Sequence, residues 1–431
     1  MAGALLGVVV VAWYSAGSAY FDLGFAGSLI ALATLSALLG VVLILLQFVL
    51  ISRAPWLERV FGFEELTRIH RINGFVAFVL VSVHIPLIIA GNSSLSGLGF
   101  LEQLNVFQNA YQYIPLAILA HLLLVITIAS SVIIVRKRLK YELWHLLHFL
   151  NYGVLFLALA HQLAYGTTLN SEQWFRWFWL GMHTAVLAHL VFYRFVRPLL
   201  QYRRHRFYVD RVVHETDSVV SIYVGGRDIE KLVYSPGQFL KWRFLQEGVW
   251  AEEHPFTISQ APDGVQIRCT VKATGDYTQK LVKSLSVGAR VILSGPFGRF
   301  TLARSQKNKI LLIAGGIGIT PLRAMLEGAD TGRDITLIYS GRSSSDFPLK
   351  GELDALAEAR KVKLHYIASR GRARGMHAGR IDSDFLHRNV ADITERAVFV
   401  CGPESMIRDV GKALRGLGVK PQDIHTERFS L

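Results

Sequence analysis

The chain has 431 residues, 52% of them hydrophobic, a mean hydropathy of +0.35 and a formal net charge of +14. That length suggests two or three domains, and the apolar residues crowd into the first two hundred positions, so a membrane domain precedes a soluble one. The charge does not signal nucleic acid, because many Lys and Arg flank apolar spans and no base-reading motif accompanies them; with Cys269 and Cys401 alone, disulfide frameworks and zinc spacings are excluded too.

Six apolar spans are expected, at roughly 2–15, 25–50, 70–91, 115–135, 141–165 and 174–197. The first is short enough for a signal-peptide core, although no Lys or Arg precedes it. Arg53, Arg59 and Arg68 lie between spans two and three, and Arg136, Lys137, Arg138 and Lys140 between spans four and five. Arg194, Arg197, Arg203, Arg204 and Arg206 follow span six, whereas 15–24, 91–114 and 165–173 hold no Lys or Arg. By the positive-inside rule the basic connections and the whole C-terminal half are cytoplasmic. The reading is a multi-pass protein of the cell membrane.

Span five, YELWHLLHFLNYGVLFLALAHQLAY, carries His145, His148 and His161, and an imidazole in hydrocarbon is costly without a partner. Span three holds His70 and His84, 14 residues apart, which is ~21 Å of rise and nearly four whole turns. His70 and His148 fall near the cytoplasmic face, His84 and His161 near the outer one, so two helices could grip two stacked haems. The 13 residues between His148 and His161 leave an ideal helix well off one face. Local unwinding, with Gly153 as a site, or a rotation between two haem planes would reconcile them. His145 is the rival of His148, while His121, His183 and His189 read as packing residues. Arg176, among Trp174, Trp177 and Trp179, reads as an anchor in an aromatic belt or as a partner for a haem propionate.

These two spans resemble the ferric-reductase-type transmembrane domain of NADPH oxidases and ferric reductases. The resemblance implies two haems b, the inner one held by His70 and His148 and the outer by His84 and His161, with no open iron position.

From about Tyr202 the pattern becomes short β-branched runs punctuated by Gly, Pro and Asp, the signature of a small antiparallel barrel. It contains HPFTIS and then VKATGDYTQKL, a Gly before a helix start that offers N–H groups to a phosphate. Together they resemble the flavin domain of the ferredoxin–NADP reductase superfamily. That resemblance assigns FAD to His254, Pro255, Phe256, Thr257, Gly275, Tyr277 and Thr278. After Arg304, KILLIAGG runs into Gly315, Gly316, Ile317, Gly318, Ile319, Thr320 and Pro321, a strand, Gly turn and helix start that form a pyrophosphate cradle. Further strands alternating with helices imply a doubly wound parallel sheet, with CGPESM after a late strand. GGxGxTP with CGP is the family's nicotinamide-nucleotide signature. It implicates Gly402, Pro403 and, near the nicotinamide, Cys401, which also reads as a buried small hydrophobe. Arg342 and Ser343 are candidates for an adenosine 2′-phosphate, hence NADPH, with Arg370, Arg372 and Arg374 a second basic cluster. Phe429 matches the aromatic that family members place over the flavin.

The expected fold is therefore a six-helix transmembrane bundle (1–200), an antiparallel β-barrel flavin domain (201–304) and an α/β doubly wound nucleotide domain (305–431). The implied activity moves electrons from cytoplasmic NADPH through FAD and two haems to an acceptor across the bilayer. Molecular oxygen, giving superoxide, is the first expectation. Ferric chelate reduction by the same relay, or delivery to an extracytoplasmic redox partner, are the alternatives.

Overall fold

The computed structural model describes residues 2–132, 138–139, 141–250, 252–371 and 375–428. Arg136, Lys137, Lys140, Arg372, Arg374 and Phe429 lie outside the described residues. The chain divides into two compact units, one made of Met1–Ala54 and Glu64–Arg194, the other of Pro55–Phe63 and Phe195–Leu431.

The first unit is helical. Its elements are α1 (Ala2–Gly17), α2 (Gly24–Leu50), α4 (Phe63–Ser96), α5 (Phe100–Ala110), α6 (Ile114–Ser131), α7 (Tyr141–Phe149), α8 (Asn151–Tyr165), α9 (Thr167–Ser171) and α10 (Gln173–Val191); α3 (Pro55–Phe61) falls in the second unit. Among the described residues four stretches, not six, are long and apolar enough to cross a membrane: Gly3–Leu50, Glu65–Ser96, Ile114–Ser131 and Leu143–Tyr165. The first two expected spans run into one helical stretch through a 3-10 turn at Ser18–Leu23, and α10 carries Gln173, Arg176, His183 and His189, which lower its apolarity.

Small residues and polar side chains hold the helices together, as expected where apolar burial gives little drive for association. A methyl on Gly40 would sit 2.7 Å from Val81 and one on Gly91 2.6 Å from Ile30, so α2 and α4 approach closely. Gln47 donates to His70 O at 2.9 Å and Asn73 to Leu43 O at 2.8 Å across the same contact. Trp179 belongs to this packing and not to an interfacial belt: it is fully buried and donates to Gln162 Oε1 at 2.9 Å, while Trp174 and Trp177 are exposed.

The second unit contains two sheets. β1 (Tyr208–Thr216), β2 (Val219–Gly225), β3 (Phe239–Leu245), β4 (His254–Thr257), β5 (Ile267–Lys272) and β6 (Arg290–Phe297) form an antiparallel sheet of order β4-β3-β6-β1-β2-β5. The expected barrel does not close. Its edge strands meet through one bridge, Ile258 with Cys269, because β4 is only four residues long and Pro255 supplies no ladder donor. Alternate residues Leu240, Trp242 and Phe244 of β3 point into the core with Ile222, Val224 and Leu293.

The second sheet is parallel: β7 (Lys309–Gly315), β8 (Asp334–Gly341), β9 (Lys363–Ala368), β10 (His377–Ala378), β11 (Ala397–Gly402) and β12 (Ile424–Arg428), in the order β10-β9-β8-β7-β11-β12. Both faces are covered, so β7 and β11 are continuous apolar runs and not alternating ones. Strand order reverses between β7 and β11, which opens a crevice at their C-terminal ends.

Candidate functional site

In the helical unit the sequence-predicted histidines meet in two places. The His70 and His148 rings face each other with centroids 6.1 Å apart and planes at 54°. His84 and His161 line one cavity of about 180 Å³, otherwise almost wholly apolar. His84 Nδ1 hydrogen-bonds Ala33 O at 2.9 Å, which fixes the proton there and leaves Nε2 with a free lone pair. The helix between His148 and His161 does break, at Leu150 and three residues before Gly153, but it is tightened there and not unwound as expected. Gly153 N donates to Leu150 O at 2.9 Å and Leu150 N to Leu147 O at 3.2 Å, a tightening that turns the following residues further round the axis.

These groups suit a haem. The fit rests on His84, whose Nε2 is left as a free base; the unpartnered Nδ1 atoms of His70 and His161 are matched by His121 Nδ1 and His183 Nε2 and do not single out the paired rings. Among the described residues no three His, Cys, Asp or Glu side chains form a metal cage. His145 lies exposed, packed on Phe149 at 4.9 Å and away from His70. His183 Nδ1 donates to Trp179 O (2.8 Å) and His189 Nε2 meets Ser52 Oγ (3.0 Å). His121, read from the sequence as a packing residue, lines the same cavity as His84 and His161 and stacks on Phe78. Arg176 Nη1 donates to Asn170 Oδ1 at 2.8 Å.

In the flavin sheet, β3 holds β4 in register, Phe239 opposite Thr257 and Lys241 opposite Pro255. His254 stacks on Tyr277 with centroids 3.8 Å apart and bonds Glu252 Oε2 at 2.8 Å; Phe256 stacks on His254 in turn. Tyr277 opens α12 (Asp276–Ser284; α11 is Arg197–His205), so the HPFT strand and the helix N-terminus form one surface. Thr278 Oγ1 accepts from the N–H groups of Thr274 and Gly275 (2.9 and 3.0 Å), which shapes the turn. The Tyr277 hydroxyl is buried and unpaired, and burial pushes its pKa up. Both features are those of a half-built ligand cradle, and FAD fits it.

In the crevice of the parallel sheet, β7 runs through a 3-10 turn at Gly316–Gly318 into α13 (Ile319–Gly328). A methyl on Gly318 would collide with Cys401 O, and one on Gly315 would sit 2.6 Å from Met406 Sδ. Gly316 has φ +54, and Gly402 faces Gly315 at the end of β11 beside Pro403. Thr320 Oγ1 donates to Ile317 O at 3.0 Å and so caps the turn, and Pro321 follows inside the first turn. Cys401 is wholly buried, in register with Ala314 and Glu427; burial, and then Glu427, push its thiol well above the usual range. It is thus a neutral small side chain beside the crevice, not a thiolate nucleophile. Arg342 is exposed after β8, beside Ser343, and Arg370 N donates to Arg342 O at 2.8 Å, so two of the predicted basic residues share one loop surface.

Residues 36–160 match the family described as ferric reductase like transmembrane component, residues 205–315 an FAD-binding domain and residues 312–412 an oxidoreductase NAD-binding domain. The chain has the architecture of the NADPH oxidase and ferric reductase family: a membrane-type helical domain fused to an FAD- and NAD(P)H-binding oxidoreductase module. Among curated proteins it is similar to flavohemoprotein A of Dictyostelium discoideum, 29% identical over 52% of this chain and 59% of that one. It is likewise similar to the flavohemoprotein of Pseudomonas putida, 31% identical over 52% of this chain and 58% of that one. The chain thus spans under two thirds of the length of these relatives. Among solved structures, the flavohem-like FAD/NAD binding domain of nitric oxide dioxygenase from Vibrio cholerae aligns with 25% identity and a TM-score of 0.48, over 53% of this chain and 99% of that one.

Two features with no sequence signal stand out. Glu58, on α3 between two apolar helices, is buried within the flavin unit. Arg268 and Arg323, both nearly inaccessible, share Ser259 O and Glu352 and so bind the two sheets together. Neither sits in a motif; each is visible only once distant segments are brought together.

Proposed function

We propose that the chain is a transmembrane flavocytochrome that carries electrons from cytoplasmic NADPH through FAD and two bis-histidine haems to an acceptor on the far side. His70 and His148 would hold the inner haem, His84 and His161 the outer. Flavin links a two-electron hydride donor to one-electron haem carriers. The observation that carries the reading is the pairing of imidazoles from two helices at both depths, at 6.1 Å in one case and around one cavity in the other. The printed names of the flavohemoprotein relatives add support for a flavin-to-haem path. Arg342, on a loop whose backbone is bonded to that of Arg370, supports NADPH over NADH, since a guanidinium group suits a 2′-phosphate.

Oxygen, reduced to superoxide at the haem edge, is the acceptor the outer segments favour. Glu102 and Glu172 are their prominent carboxylates, and both are engaged. Glu102 accepts from Gly99 N at 2.9 Å, and Glu172 accepts from Ser15 Oγ (2.9 Å) and Trp174 Nε1 (3.1 Å). That leaves little to receive a ferric chelate. Membranes containing the protein, given NADPH, are expected to reduce cytochrome c in a superoxide-dismutase-sensitive way. Reduction of a ferric chelate alone would defeat the oxidase reading.

A further inference from the structure

Glu58 is the feature that the relay does not yet use. It lies in a segment between two apolar helices that nevertheless belongs to the flavin unit. The segment is pinned there: Arg299 Nη1 donates to Val60 O at 2.8 Å, and the Phe63 and Phe239 rings meet edge-on at 6.4 Å. Gly62, at φ +78, lets the chain turn against Arg299. The helix of Glu58 packs on β6, and β6 pairs with β3, the strand that holds HPFT through Phe239 opposite Thr257 and Lys241 opposite Pro255.

The Glu58 side chain is 7% exposed, and its Oε1 has no hydrogen-bond partner. The carboxyl accepts the Gly298 N–H, and the charged groups acting on it are Lys241 from β3 and Glu427 from β12. Arg59 neighbours it on α3, and Arg299, next to Gly298, is turned to Val60 O. An unpaired buried carboxyl oxygen is costly, and a site that needs a transient base is one reason to keep it.

We propose that Glu58 is the proton acceptor of the flavin site, taking up the proton left behind when electrons leave for the haems. This rests on the function proposed above. A hydride from NADPH brings one proton and two electrons. NADPH is oxidised to NADP⁺, the two electrons pass singly to the far-side acceptor, and the proton remains. The N–H bond that the hydride made on the flavin would break as the electrons leave, an O–H bond forms on the Glu58 carboxylate, and that bond later breaks to cytoplasmic water. Burial, opposed by Lys241, raises the carboxyl to about 7, so it can take and release a proton at physiological pH.

The test uses the full chain, purified in detergent with FAD. Flavin content and NADPH-driven bleaching are measured first. Reduced-minus-oxidised infrared difference spectra and the pH dependence of the flavin midpoint potential follow. Expected are a protonated-carboxyl band that moves in D₂O and a break in the potential–pH curve near neutrality. Both should vanish in Glu58→Gln, which can still accept the Gly298 N–H, and return, shifted, in Glu58→Asp. NADPH bleaching should stay within about twofold in Glu58→Gln. A protein that takes up no flavin, or is not bleached, overturns the underlying reading and this one with it. Normal bleaching with band and break unchanged in Glu58→Gln overturns the proton assignment alone, as does their loss in Glu427→Gln only.

Discussion

The two units build their sites from opposite materials. In the second unit, the candidate ligand surfaces come from short contiguous segments, and backbone does much of the work: glycines at strand ends and helix N-termini. In the helical unit the site is made of isolated imidazoles from α4, α7 and α8, brought together by helix packing. A contiguous backbone site survives many side-chain changes but not an added methyl. A site of paired side chains fails with a single substitution.

The largest effect expected therefore lies in the helices. His148→Leu and His161→Leu should each remove one haem of two by pyridine haemochrome and lower far-side acceptor reduction at least a hundredfold. NADPH bleaching of FAD should be unaffected. One haem per wild-type chain would end the pairing, and loss of bleaching in His161→Leu would end the proposed order of transfer.

Gly318→Ala is the matching lesion in the second unit. The new methyl meets backbone, Cys401 O, which has nowhere to go, so a loss of roughly 2–4 kcal/mol and of nucleotide binding is expected. Gly275→Ala, by contrast, meets no protein atom at φ −137 and should leave thermal stability within about 0.5 kcal/mol. Equal damage from both substitutions, read by thermal melting and FAD fluorescence, would erase the distinction between a crowded turn and an open one.

What the sequence shows and hides follows the same division. The parallel sheet, its reversal point and the GGIGITP and CGP loops were legible because each is local and its period is plain. The pairing of His70 with His148 and of His84 with His161 was legible because their spacings on two apolar spans match. Span count was not, because a 3-10 turn joins α1 to α2 without a polar break, and α10 trades apolarity for buried Trp179 and His183. Barrel closure failed at Pro255, where ligand-binding chemistry competes with the ladder. Glu58 was invisible, since nothing in PWLERVF says that a membrane-side connection will be buried in another unit.

That burial has a pH signature of intermediate size. Folding raises the Glu58 carboxyl from 4.5 to about 7, chiefly through burial. The folded state thus binds the proton more tightly, and stability falls as pH rises from about 4.5 to about 7. At 1.36 kcal/mol per unit the loss approaches roughly 3 kcal/mol. Melting of wild type minus Glu58→Gln across that window should show the slope, and a flat difference would mean the carboxyl is hydrated.

A smaller change is expected at the loop after β8. Arg342→Ala should raise the KM for NADPH about tenfold, the worth of one charge-assisted hydrogen bond, and leave NADH use unchanged. An equal change for both nucleotides would place Arg342 away from the 2′-phosphate.

The smallest effect is the most discriminating within the helices. His145 and His148 are three residues apart and equally plausible in sequence, yet His148 faces His70 while His145 packs on Phe149 at the exposed side of α7. His145→Ala should therefore keep two haems per chain and the low-spin spectrum of bis-imidazole iron, with acceptor reduction within about twofold. If it loses a haem while His148→Ala does not, the inner ligand is His145 and α7 must turn by nearly one residue-triplet to present it. The break at Leu150 would then serve His145 and not His148.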